Sequence, residues 1–281
     1  MTADPTGGRQ DLDRLRALCA GDGSRIDLLE AALELGALRR DAPVDAAPFR
    51  QHVAAMAVDL ADLVGRRGAV PEQLGEVIAV AYGYRGDSET YDDLQNADLA
   101  RVIERRKGLP VALSILYLHV ARAQGWQAEG LAFPAHFLIR VTIEGGRHIL
   151  DPFHDGALRD ATELRVLLRQ VLGPQAELQP AHFDPVADRD VLLRLENNVR
   201  LRLAGQGDWL GAARSLDRML AIAPDRAELL FEAGEINARL DKRRAAIAAF
   251  SRFLDLEGGQ SDPALRRRAS ELLQELRRGL N

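Results

Sequence analysis

Lys107-Gly108-Leu109-Pro110-Val111-Ala112-Leu113-Ser114-Ile115-Leu116-Tyr117-Leu118-His119-Val120-Ala121-Arg122-Ala123-Gln124-Gly125 is the stretch whose reading decides the fold. From Val111 to Gln124 it is apolar on nearly every side, the pattern of a helix surrounded by protein rather than lying on a surface. Pro110 suits the first turn, where its missing N–H removes no helical hydrogen bond. Gly125 is placed to close the C-terminus. Directly after it come Trp126 to Phe133 and Phe137 to Ile143. The second alternates Phe137, Ile139, Val141, Ile143, the period-two pattern of a half-buried strand. Gly145-Gly146 is a hairpin turn, Arg147 to Leu150 is the return strand, and Asp151-Pro152 ends it. A buried helix followed by an antiparallel hairpin is an α+β arrangement.

Upstream, amphipathic helices are read over Asp11–Ala20, Asp27–Arg39 with Asp27 as N-cap, and Phe49–Val64 closed by Gly65. Pro71 opens another that reaches about Tyr82. Tyr82 to Asn96 is a polar, glycine-bearing loop, long for a connection between elements. A short helix over Asp98–Arg106 leads back to the opening stretch. Met1 to Gly8 reads as a disordered tail.

Downstream of Pro185 the chain is helical and repeats. An offset of 34 places Ala212 on Ala246, Leu216 on Phe250, Met219 on Phe253 and Leu220 on Leu254. That is the period of the tetratricopeptide repeat, a pair of antiparallel helices. Pro224 ends the first unit, Gly258-Gly259 stands at the matching place in the second, and Asp262–Leu276 reads as a capping helix. Two units fall short of the usual minimum, so the array is expected to complete its core against other parts of the chain. Trp209 reads as repeat core. The expected organisation is a tail over 1–10, a first region over 11–184 and helical repeats over 185–281.

Composition narrows the function. The net charge is -5 and 47% of residues are hydrophobic, an ordinary globular balance without the basic footprint of a nucleic-acid binder. Arg266-Arg267-Arg268 is a solvated helix face. The one cysteine, Cys19, permits neither an internal disulfide nor a cysteine zinc site. No apolar run reaches the length of a membrane span, and no secretory h-region opens the chain, so a cytoplasmic location is the default expectation.

Chemistry concentrates around three places. Pro110 opens the buried helix, His136 precedes a strand, and Asp151 ends the strand paired with it. A tight hairpin sets His136 and Asp151 side by side at one sheet edge. A carboxylate that orients an imidazole, near a helix N-terminus that favours an anion, is the skeleton of a nucleophile triad. The same pair also suits a structural hydrogen bond. Ser114 lies one turn beyond Pro110 on the same helix face and is a candidate nucleophile. A helical serine is equally suited to bonding a backbone carbonyl. His148 and His154 are further histidines nearby, but their spacing fits no standard zinc pattern, and neither a metal nor a cofactor is expected.

Several motifs in this order resemble the SirB-one family: Tyr82-Gly83-Tyr84-Arg85-Gly86, Tyr91-Asp92, Asn96, Glu104-Arg105-Arg106-Lys107-Gly108-Leu109-Pro110, Leu113-Ser114, Pro134-Ala135-His136-Phe137-Leu138 and Asp151-Pro152-Phe153. The resemblance spans roughly residues 25 to 255. It implies a papain/transglutaminase-like α+β core with N-terminal helices, followed by an all-α tetratricopeptide-type segment. It also implies that His136 and Asp151 match the His and Asp of a transglutaminase triad. The nucleophilic Cys of active members, two residues after Gly108, corresponds to Pro110. Ala135 stands where Gly is common. The reading that follows is a non-catalytic interaction or regulatory protein with a protein or peptide partner, independent of nucleic acid and membrane. The alternative is a hydrolase or acyltransferase that uses His136 and Asp151 with a non-cysteine nucleophile such as Ser114.

Overall fold

The computed structural model describes residues 7–21, 25–40, 44–134, 136–256 and 262–278; Met1–Thr6, Ala135 and Gly258-Gly259 lie outside them. The chain divides into two compact units. One comprises residues 20–195. The other joins the segment before residue 20 to residues 196 onward.

The unit of residues 20–195 is built around helix α6 (Pro110–Ala123). Eleven of its side chains are buried, among them Leu113, Leu116, Tyr117 and Val120, as an apolar helix without a polar face requires. Around it lie α2 (Leu28–Ala37), α3 (Ala47–Arg67), α4 (Glu72–Gly75), which runs on into a π-helical turn (Glu76–Ala81), and α5 (Leu99–Arg105). Asp27 caps α2 by accepting from the Glu30 N–H at 3.1 Å, and Asp98 caps α5. Gly65 does not close α3. The helix runs on to Arg67, and Gly68, at φ +79°, makes the turn that other residues resist.

The sheet has five strands: β3 (Gln127–Leu131), β4 (Ile139–Ile143), β5 (Gly146–Asp151), β6 (Ala157–Leu158) and β7 (Pro185–Val186). Their order is β6-β5-β4-β3-β7, antiparallel throughout. The expected hairpin is β4–β5, with Ile139 opposite Leu150 and Ile143 opposite Gly146. Phe137 stays outside β4. Its ring lies where a side chain at Gly130 would stand, 2.6 Å from that position, so the glycine of β3 makes room for it. One sheet face packs on α7 (Ala161–Leu172) through Leu131, Phe133, Leu138, Leu164 and Leu168. This helix, absent from the sequence reading, is announced by the capping box of Asp160 and Glu163. The composition boundary at 184/185 falls just before β7, whose Val186 pairs with Gly130.

The Tyr82–Asn96 segment is ordered around buried Asp87. Its carboxylate accepts from the Thr90 N–H and hydroxyl and from Arg105, and Arg105 also donates to Asn96. Here β1 (Arg85–Gly86) pairs in parallel with β2 (Lys107–Gly108). The Leu109 N–H then donates to the Asn96 carbonyl, which fixes the chain at the entrance to α6.

The second unit contains α1 (Gly7–Leu18), the C-terminal part of α8 (Asp188–Gly205), α9 (Trp209–Ile222), α10 (Ala227–Arg239), α11 (Arg243–Asp255) and α12 (Pro263–Arg278). Ala212 and Ala246 are both fully buried, as close helix packing at the repeat offset demands. Gly234 admits the Phe250 ring, which would stand 2.5 Å from an added Cβ. Phe231, Phe250, Phe253 and Leu273 centre this core. Residues 7–10, read as part of a disordered tail, belong to α1, and α1 packs on α9. A helix from the far N-terminus thus augments the short array.

Candidate functional site

The antiparallel register that sets Ile139 opposite Leu150 carries His136 and Asp151 to the same end of the β4–β5 pair. Asp151 is the last residue of β5 and the N-cap of a 3-10 turn, Pro152–His154. Its side chain is 0% exposed, and six donors converge on it. Oδ1 accepts from His136 Nε2 at 2.8 Å, from the Phe153 N–H at 3.2 Å and from the His154 N–H at 3.3 Å. Oδ2 accepts from His154 Nδ1 at 2.7 Å and from Arg159 Nη2 and Nε at 3.0 and 3.2 Å. Burial alone would push this carboxyl up. The hydrogen bonds from His136 and His154 and their positive fields outweigh it, and the group is held well below the usual carboxylate range.

His136 is positioned at several points. Its N–H bonds the Pro134 carbonyl, and its own carbonyl accepts from Arg194 Nη2 at 3.3 Å. The Phe153 ring stands edge-on to the imidazole, 6.2 Å between centroids, and Tyr91 flanks Phe153. Phe153 packs directly on Gly86, where an added Cβ would come within 2.5 Å of its carbonyl oxygen. The β1–β2 clip and the His–Asp turn are therefore in contact. With Nε2 committed to Asp151, the Nδ1 atom of His136 is the one left for chemistry, the reverse of the Ser-His-Asp arrangement in which Nδ1 faces the carboxylate.

The family profile described as "Transglutaminase-like superfamily" matches residues 47–197, and a tetratricopeptide-repeat profile matches residues 199–274. The chain belongs to the transglutaminase-like superfamily. It is 36% identical over 177 residues to the UPF0162 protein of Xylella fastidiosa (strain Temecula1), covering 62% of this chain and 63% of that protein. It is 25% identical over 188 residues to Protein SirB1 of Salmonella typhimurium, covering 66% and 70%. F-box only protein 21 of Mus musculus is 30% identical over 158 residues, 52% of this chain but 24% of that one. A transglutaminase-like domain followed by tetratricopeptide repeats, with SirB1 among its relatives, is the SirB-one organisation that the motifs resemble.

At the entrance to the central helix this transglutaminase-like chain carries Pro110 as the first helical residue, buried and without a nucleophile. Ser114 is fully buried, and its hydroxyl donates to the Pro110 carbonyl at 2.8 Å, one turn back in the same helix. Cys19 is buried and groups with the repeat unit. His148 lies three residues before Asp151 on β5, an odd offset, so strand alternation turns it to the opposite face. His154, three residues after Asp151, does join the site, and so does Arg159. The Asp-Pro-x-His spacing, with Asp as N-cap, is the sequence signal for His154. Arg159 had none, since it arrives through the β5–β6 turn. The ring nitrogens of His136 and His154 and an oxygen of Asp151 lie within 4.8 Å of one another and are the group able to hold a metal among the described residues.

Proposed function

We propose that this protein is a non-catalytic member of its superfamily that acts as an interaction or regulatory module, through the cleft beside His136 and the surface of its repeats. The observation that carries this reading is the start of the central helix. The position that the SirB-one resemblance aligns with the nucleophile is Pro110, and the nearest hydroxyl on that helix face, Ser114, is buried and donated to a backbone carbonyl. Acyl transfer through a covalent intermediate needs a nucleophile that an imidazole can deprotonate. Tetratricopeptide repeats stack into surfaces that commonly engage other proteins, which supports a protein or peptide partner. Leu201 and Leu210, 54% and 42% exposed in α8 and α9, are apolar side chains that such a surface would offer.

The second reading, a hydrolase or acyltransferase, draws on the His136–Asp151 hydrogen bond, in which the carboxylate would orient the imidazole as a general base. Two experiments separate the readings. The wild-type chain and Ser114→Ala are treated with a fluorophosphonate probe; no labelling of either is expected. Affinity capture is then run from a lysate of the native source, with wild type, His136→Ala and a Leu201→Glu/Leu210→Glu variant. The same partner should come down with wild type and His136→Ala, and be lost with the leucine variant. Labelling of wild type but not of Ser114→Ala, or a hydrolytic turnover abolished by His136→Ala, would overturn the non-catalytic reading.

A further inference from the structure

A triad needs one imidazole on its carboxylate; this chain puts two. His136 Nε2 and His154 Nδ1 approach opposite oxygens of Asp151, at 2.8 and 2.7 Å. His136 comes from the segment before β4, and His154 from the turn after β5. Nothing in a His–Asp dyad accounts for the second ring. We propose that His136 Nε2, Asp151 and His154 Nδ1 form a binding site for a divalent first-row transition-metal ion of the zinc class.

The donor set fits that class. Two imidazole nitrogens and one carboxylate oxygen suit a borderline ion better than magnesium or calcium, which favour all-oxygen cages. Three protein ligands with a fourth position open to water is the usual plan of a reactive zinc site. Water would reach a fourth position from the side of His154, which is 51% exposed. Bond lengths of about 2.0–2.2 Å in a tetrahedral site separate ligand atoms by roughly 3.3–3.5 Å. The three ligand atoms lie within 4.8 Å of one another, so reaching that separation takes a shift of about an ångström, which the half-exposed His154 ring has room to make. Each imidazole presents a lone pair to the ion once its proton has moved to its other nitrogen, so binding leaves both rings neutral.

The surroundings are those of a supported ligand. Metal-binding carboxylates are themselves held by hydrogen bonds, which fix their orientation. Asp151 has Arg159 on one oxygen and the Phe153 and His154 N–H groups on the other. Phe153 stands edge-on to both imidazoles, at 6.2 and 5.3 Å between centroids, and walls the site on one side. The site uses both residues of the dyad, so an ion bound there replaces the His136–Asp151 hydrogen bond whichever reading of the function holds.

The test uses the untagged full-length protein. Zinc alone is added, excess is removed by dialysis, and retained metal is measured by elemental analysis; cobalt titration followed by visible absorption reports the ligand field. One ion per chain is expected, with the spectrum of low-symmetry nitrogen–oxygen ligation. His154→Ala, at an exposed position and therefore safe for folding, should weaken binding by about tenfold or more. His136→Ala should do the same, while His148→Ala on the opposite strand face should bind like wild type. Failure to retain zinc, or equal losses in His148→Ala and His154→Ala, overturns the proposal.

Discussion

Replacing Asp151 by Asn changes one oxygen into an NH2 group and leaves the shape of the side chain unaltered. In its better orientation the amide keeps its oxygen toward His136 and the Phe153 and His154 N–H groups. The NH2 group then faces the two guanidinium nitrogens of Arg159 that now donate to Oδ2 from 3.0 and 3.2 Å. Donor meets donor, and a cation that is 17% exposed loses its counter-charge. Removing one partner of a buried ion pair costs about 3–5 kcal/mol. Arg159 keeps its contact with Glu163 at 3.3 Å, a pair that is itself partly exposed, which argues for the lower end, about 3 kcal/mol. For a unit of this size that corresponds to a fall in Tm of about 6–12 °C. The chain has two tryptophans, Trp126 in the transglutaminase-like unit and Trp209 in the repeat unit. In a Trp209→Phe background, urea unfolding followed by tryptophan fluorescence reports the first unit alone. The midpoint should fall with the slope unchanged. His154→Ala, which removes an exposed partner, should cost under about 1 kcal/mol in the same assay. A loss below about 1 kcal/mol for Asp151→Asn would refute the claim that this carboxylate anchors a buried network.

Three other substitutions probe the surroundings. Gly86→Ala places a Cβ 2.5 Å from the Phe153 carbonyl oxygen, which is backbone and cannot rotate away, so it should destabilise by about 2–3 kcal/mol and shift the His136 and His154 ring resonances in an NMR spectrum. Burial pushes the Asp87 carboxyl up, but donors from Thr90, Asn96 and Arg105 win and bring it down to about 2. A depressed carboxyl stabilises the fold fully above its unfolded value near 4 and loses that contribution as the pH falls toward 2; Asp87→Asn should flatten this part of the curve in denaturation midpoints measured from pH 5 to pH 2. Ser114→Ala should change stability by less than about 1 kcal/mol in thermal melts, since the Pro110 carbonyl keeps its helical partner; a loss above about 2 kcal/mol would show the hydroxyl has another role.

The central helix and the β4–β5 hairpin were legible because each is long enough to display a period, and the His136–Asp151 pairing followed from the hairpin. What escaped was short or remote. β1 and β2 have two residues each, too few for any alternation, and Pro185 and Val186 join the sheet from more than fifty residues beyond the strand they pair with. Arg159 reaches Asp151 around a turn whose Asp155 and Gly156 both sit at positive φ, a geometry that no motif announces. His148 and His154 could not be ranked from spacing; only the strand face and the cap geometry separate them.

The contact between α1 and α9 has a temporal side. Gly7–Leu18 leaves the ribosome well before its partner Trp209–Ile222, which emerges roughly 190 residues later. At about 5–20 residues per second that is a wait of about 10–40 s. The intervening residues can settle into their own unit in the interval, as an insertion would between two halves of a host. The opening helix must meanwhile be kept from other apolar surfaces. An N-terminal truncation, which would look harmless to the transglutaminase-like unit, is thus a lesion of the repeats.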